Sequence, residues 1–384
     1  MKKKYFITGF MVILGILVLS RINLNNNKDL AVYIENELNS SIPASNENLY
    51  LNKIDCDNNV NAYWDNDNWG LFISNLSKKT KCNLFFIHDT EKPYWQIEEV
   101  EKTSVLSTDI FTIKISGNDS LSKVTSSLDT SSLSFYVNDT LQSPIKVELA
   151  KLEELNKKIT YSIKVHMVGG EGNLKLKINS NTLTDNETNH NDEITLDTGI
   201  TVSKNPAKIL HYYNSGFSSK EAATYYRILN KYYYNIDYTT SYSLEEVVQN
   251  SFDVVIFDDY AWEVPTIAND IFKSSINIIS FGNDSNNELY PIDSITYSEE
   301  IGTSTKQLNN PLTNYLPDEL YGYTDSQQLI NFINDVTVLY KNTTNNNTYD
   351  SVGYITKNGK TWFHSQLMSI SYLVPIIQFT IGRL

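Results

Sequence analysis

The sequence predicts two all-β modules followed by an α/β domain with a mainly parallel sheet, and three observations carry that expectation. Val254–Phe257 is an apolar run without alternation, flanked by acidic residues; similar runs sit at 207–213 and 275–281, with helix-length spacers between. Such runs are strands buried on both faces, and strand, helix, strand at this rhythm means βαβ units. Between about 106 and 202 the pattern changes to strict apolar/polar alternation, the mark of half-exposed antiparallel strands. From 31 to 88 the runs are shorter and are cut by Asn, Asp and Ser, as in a small module of short strands and turns.

The chain has 384 residues, enough for two or three domains, and its 41% hydrophobic content supports sizeable cores. A net charge of −14 with no basic patch excludes a nucleic-acid partner, which needs cations against phosphate. Lys2, Lys3 and Lys4 precede an uncharged apolar run from Tyr5 to Leu19. That order is an export signal or signal-anchor at 1–20, short for a membrane span of about 20 residues. The expected location is extracytoplasmic, with membrane contact only through residues 5–20. Residues 21–30 are expected to be a flexible spacer.

The first module is expected at 31–104. Cys56 and Cys82 both fall in it, and an exported chain permits their disulfide. The bridge would close about 25 intervening residues, worth roughly 3 kcal/mol by loop entropy; two buried thiols are the alternative. Tyr63-Trp64-Asp65-Asn66-Asp67-Asn68-Trp69-Gly70 is expected to be a hairpin turn with its tryptophans on the sheet, or else an aromatic platform for a sugar. It is no EF-hand loop, because the twelfth position, which needs a bidentate carboxylate, is Leu76. The leading AVYIE, the cysteine pair and WDNDNWG resemble a small β module of Firmicutes cell-surface proteins.

The second module, 105–203, reads as a β-sandwich of immunoglobulin type, with alternating strands at 111–115, 133–137, 145–149, 161–165 and 174–178. The stretch YSIKVHMVGGEGNLKLKINSNTLTDNETN resembles the end of bacterial Ig-like surface domains, with Leu183-Thr184-Asp185 in their turn and Thr188 where they carry Gly. His166 and His190 are expected to be surface or packing residues rather than ligands. Ser203–Pro206 is expected to be a linker, since Pro punctuates.

The α/β domain is expected at 207–384. Its helices are predicted from about Ser219 to Lys231, at Leu244–Asn250 behind a Ser243/Glu246 capping box, near Pro265–Lys273, and at Leu367–Leu384 with Pro375 inside. Lys357-Asn358-Gly359 marks a hairpin turn. ILHYYNSG, FDVVIFDDY, INIISFGND, the segment Asn310–Pro317 and the hairpin Asn358–Gln366 resemble the glutamine amidotransferase-like superfamily, ThuA-like domains included. That resemblance implies a flavodoxin-like layered fold and, in catalytic members, a Cys nucleophile on a strand-to-helix turn. This domain contains no Cys, and a GxSxG elbow is absent.

Ligands of such sheets sit beyond the carboxyl ends of the strands. The candidate ligand-binding residues are therefore Asn214, Ser215 and Gly216, then Asp258, Asp259, Tyr260 and Trp262, then Asn283 and Asp284. No catalytic residue and no metal ligand is assigned; Ser285 with His211 or His364 is a dyad that can be drawn without a fixed geometry. Flavin mononucleotide is a second alternative, its phosphate on Asn214–Ser219 and its ring on Tyr260 and Trp262, but no cofactor is expected. The favoured function is non-catalytic binding or assembly at the cell surface, with a glycan or protein as partner. A hydrolase acting at the same loops is the alternative.

Overall fold

The computed structural model describes residues 18–24, 30–33, 49–56, 61–65, 70–74, 80–212, 219–239, 243–257, 264–281, 291–298, 303–321, 327–344, 347–365 and 370–384. Most of these residues lie in β-strands, with few helices.

Among the described residues, six strands belong to the first module: β1 (Val18–Leu24), β2 (Leu30–Tyr33), β3 (Leu49–Cys56), β4 (Asn61–Asp65), β5 (Gly70–Ser74) and β6 (Thr80–His88). They form two three-stranded sheets, ordered β1-β6-β3 and β2-β5-β4. The predicted hairpin is present, with Asp65 opposite Gly70. The expected spacer differs. Val18–Leu24 pairs antiparallel with β6, so the end of the expected export segment and the start of the spacer are built into a sheet. The alternation Ile22-Asn23-Leu24 suits a strand, and pairing satisfies backbone groups that a free spacer would leave to water. Among the described residues no helix is long and apolar enough to cross a membrane.

The second module comprises β7 (Tyr94–Val100), β8 (Ser104–Leu106), β9 (Ile110–Asn118), β10 (Val124–Ser126), β11 (Leu133–Val137), β12 (Thr140–Gln142), β13 (Lys146–Leu155), β14 (Lys158–His166), β15 (Gly172–Ile178), β16 (Leu183–Asp185) and β17 (Ile194–Ser203). One sheet runs β12-β11-β15-β17-β8 and the other β13-β14-β9-β7. Alternation turns one face of each sheet inward. Phe111, Ile113 and Ile115 of β9 stand in register with Val165, Ile163 and Tyr161 of β14. On the other sheet, Leu133, Phe135 and Val137 of β11 oppose Ile178, Leu176 and Leu174 of β15. Both sets are buried in one core.

The third unit comprises β18 (Asn205–Tyr212), α1 (Ser219–Tyr232), β19 (Tyr233–Thr239), α2 (Leu244–Asn250), β20 (Val254–Phe257), α3 (Val264–Lys273), β21 (Asn277–Phe281), β22 (Ile292–Ser298), β23 (Thr303–Lys306), β24 (Glu319–Tyr321), β25 (Gln327–Phe332), β26 (Thr337–Thr344), β27 (Asn347–Lys357), β28 (Lys360–Ser365) and α4 (Leu373–Thr380). The sheet is mixed. Five strands in the order β19-β18-β20-β21-β28 are parallel, and β27 continues the sheet antiparallel into β22–β26. Central β20 is buried throughout, and its residues divide between two cores. Val254 and Ile256 pack with Leu229 and Tyr232 of α1 and with α4; Val255 and Phe257 pack with Val247 of α2 and Ile271 of α3. The result is helix, sheet, helix, as the apolar runs require.

The last helix is shorter than expected. A 3-10 turn at Ile370–Tyr372 leads into α4, and Pro375 is its third residue. Pro lacks an N–H that only the first turn can spare, which fixes the start of the helix. The segment Asn310–Pro317 contains a 3-10 turn, Leu312–Tyr315, whose Leu312 and Thr313 are buried.

No spacer separates the second and third units, although Ser203–Pro206 reads as a linker. β17 ends at Ser203 and β18 starts at Asn205. Asn205 is buried; its Nδ2 donates to Thr108 Oγ1 (2.8 Å), and its Oδ1 accepts from Ala207 N (2.9 Å) and Arg383 Nη1 (3.1 Å). Gly170, at φ +79°, donates its N–H to the Lys231 carbonyl at the end of α1 (2.9 Å). Met167 of the sandwich is wholly buried in the core shared by α1 and α4.

Candidate functional site

The strand order reverses between β18 and β20, and crevices form outside the carboxyl ends at such a point. Tyr212 stands opposite Phe257, and Phe257 opposite Ser280. The segments leaving β18, β20 and β21 therefore depart side by side from one edge of the sheet. All nine candidate residues belong to those segments: Asn214, Ser215 and Gly216 to the first, Asp258, Asp259, Tyr260 and Trp262 to the second, Asn283 and Asp284 to the third. All nine, and Ser285, lie outside the described residues, so it is their anchor points that are brought together.

Just below this edge, Ser280 of β21 and His364 of β28 occupy adjacent register positions. The Nε1–H of Trp362 donates to Ser280 Oγ (2.9 Å), and that hydroxyl lies 2.8 Å from His364 Nδ1. The Phe363 carbonyl, 3.5 Å away, is a second acceptor for the Ser280 hydroxyl, so the contact with Nδ1 is compatible with either neutral tautomer of the imidazole. His364 Nε2 is buried without a hydrogen-bond partner, and the ring meets the edge of Phe332 at 5.9 Å. Ser280 is 2% exposed and His364 0%. Burial pushes the imidazole down to about 4, so it is neutral at pH 7. A hydroxyl beside a neutral imidazole is the chemistry of nucleophile and base. Here both groups lie in the core that packs against α3, where Trp362 contacts Phe272. Their relation rests on the pairing of strands far apart in sequence, which no local motif announces.

Of the other histidines with described side chains, two are packed and one lies at the surface. His211 of β18 is buried and stacks on Tyr225 of α1 at 4.4 Å. His166 is buried, with Nδ1 2.8 Å from the Tyr315 hydroxyl, across the contact between sandwich and α/β unit. His190 is exposed and lies 2.9 Å from Thr184 Oγ1. Cys56 and Cys82 occupy directly opposed positions of β3 and β6; Cα atoms so placed are within the span of a disulfide.

Two surface concavities are lined by described residues. One, of about 410 Å³, lies between Thr305–Asn309 and Asp318–Glu319 on the antiparallel extension. The other, of about 250 Å³, is lined by Lys208, Asn235, Asp237 and Phe252, toward the amino ends of the parallel strands. Neither is at the carboxyl edge.

No family model matches the chain, and no curated protein matches it. Among solved structures, one match is a protein from Thermoplasma acidophilum described as a GMP synthase component, 12% identical, with a TM-score of 0.36, covering 47% of this chain and 95% of that one. Another is a glutamine amidotransferase from Thermotoga maritima, 14% identical, with a TM-score of 0.29, covering 46% of this chain and 82% of that one. Both likenesses are too distant to carry an activity to this chain.

Proposed function

We propose that the chain is an extracytoplasmic surface protein with a non-catalytic binding or assembly role. In this reading two strand-built modules, the second Ig-like, present an amidotransferase-like α/β domain to a cell-surface glycan or protein. The strand order β19-β18-β20-β21-β28, numbered by appearance 2-1-3-4-5, is the flavodoxin-like order and supports the layered fold expected from the motifs. The carrying observation is the sealed Ser280–His364 pair. The one serine–histidine contact described near the carboxyl edge is inside the core, and the domain has no thiol to replace it. The residues left for a ligand are the amides, carboxylates and aromatics of 214–216, 258–262 and 283–284, which suit hydrogen bonding and stacking to sugars or peptide.

The test is a glycan array probed with the purified chain, run beside a panel of chromogenic ester, amide and glycoside substrates. Saturable binding without turnover is expected, and Asp258→Asn with Trp262→Ala should abolish the binding. Turnover that disappears in Ser280→Ala would replace this reading with a hydrolase that opens to expose its dyad.

A further inference from the structure

We infer that Asp89, Asp119 and Asp185 form a calcium site at the joint between the first module and the sandwich. Asp89 directly follows β6, Asp119 directly follows β9, and Asp185 ends β16. The three are 2%, 7% and 5% exposed. One carboxylate oxygen from each lies within 4.8 Å of the others. Two oxygens bound to one Ca²⁺ at about 2.4 Å are at most about 4.8 Å apart, so the cluster has the span of one coordination sphere.

The hydrogen bonds around the cluster hold the carboxylates in place. Asp89 Oδ1 accepts from Glu91 N (3.0 Å) and Oδ2 from Ser122 Oγ (2.6 Å). Asp119 Oδ1 accepts from the N–H groups of Leu121 and Ser122, both at 2.7 Å. Asp185 accepts from Asn189 through both oxygens, at 2.7 and 2.8 Å, and the Asn189 amide also donates to the Asp89 carbonyl (3.0 Å). Asp119 Oδ2 is the exception. It is buried, belongs to a side chain more than nine-tenths buried, and has no hydrogen-bond partner. Among the described residues, no Lys or Arg is ion-paired to any of the three.

Three carboxylates gathered out of water repel one another, and buried charges are found paired or bound to metal. An all-oxygen, all-carboxylate donor set selects a hard cation, and the irregular spread of three chain segments suits Ca²⁺ better than the stricter octahedron of Mg²⁺. Bound there, the ion would tie the exit of β6 to two loops of the sandwich and so fix how the first module stands on it. The site is separate from the loop at Asp65, and it does not depend on what the α/β domain binds.

The test is calorimetric titration of the full chain with CaCl₂ after EDTA treatment and dialysis, with MgCl₂ as a second arm and thermal unfolding as a parallel readout. One Ca²⁺ per chain is expected at this site, bound at least tenfold more tightly than Mg²⁺, together with a higher unfolding temperature. Asp119→Asn keeps the acceptor for Leu121 and Ser122 and removes the orphaned negative oxygen. It should fold, lose this binding by at least tenfold, and in EDTA be no less stable than the parent. Asp185→Asn should lose the binding likewise. Absence of Ca²⁺ binding at millimolar concentration, or either folded variant binding as tightly as the parent, would overturn the assignment.

Discussion

At the scale of single residues, backbone conformation and protonation make two predictions. Thr188 sits at φ +64°, in the left-handed region, on the exposed loop after β16. A β-branched residue is strained there. Thr188→Gly should stabilise the chain by about 1 kcal/mol, since an exposed side chain is lost and strain is relieved. Urea unfolding in EDTA checks this; an unchanged or lower midpoint refutes it. His364 supplies the second case. Its folded-state pKa is depressed from 6.5 to about 4 by burial, so the unfolded chain takes up the proton first as pH falls. The contribution to stability is complete above pH 6.5 and is lost as pH falls through 4, to a limit of about 3 kcal/mol. His364→Gln keeps a neutral hydrogen-bonding side chain, and its urea midpoint should fall less than the parent's between pH 7 and 4.5. His166, also held low chiefly by burial, remains in both chains, so the difference reports His364.

At the scale of elements, local chemistry decided what could be read in advance. The capping box before α2 is present: Ser243 Oγ accepts from Glu246 N, and Glu246 Oε2 accepts from Ser243 N (2.7 Å). Such a cap contributes about 1 kcal/mol, and α2 is only seven residues long, held to the sheet by Val247. Ser243→Ala should therefore cost about 1 kcal/mol in urea unfolding, while Ser243→Gly costs a few tenths. The Asn358–Gly359 turn was equally legible, with φ of +52° and +73° joining Lys357 to Lys360. What escaped the sequence were elements without an apolar run of their own. β23 (Thr303–Lys306) and the three-residue β24 have little apolar patterning and exist because β26 offers an edge to β23, and β23 in turn to β24. The anchor points of the candidate ligand loops followed from a topological rule. The Asp89, Asp119 and Asp185 cluster could not, because it joins three segments that only the fold brings together.

At the scale of the whole molecule, the sandwich and the α/β unit share structure where the sequence suggested a linker. Asn205 before Pro206 looks like turn chemistry, yet a buried Asn can equally act as a hub, and here its side chain bonds Thr108, Ala207 and Arg383. Ser107 Oγ donates to the Tyr232 carbonyl (2.6 Å), and Gly170 N–H caps Lys231, so two orphan carbonyls at the end of α1 are satisfied from the neighbouring unit. Met167 is held at φ +53° with its side chain in the α/β core, though it belongs to the sandwich chain. Units that complete each other's hydrogen bonds and core should not unfold separately. Calorimetry is expected to show one transition covering residues 94–384, with a calorimetric enthalpy equal to the van't Hoff value. Met167→Ala should lower its stability by about 2–5 kcal/mol by opening a cavity in the shared core. Two resolved transitions within residues 94–384, one for the sandwich and one for the α/β unit, with only one of them moved by Met167→Ala, would show instead that each unit holds its fold alone and that the contact between them is superficial.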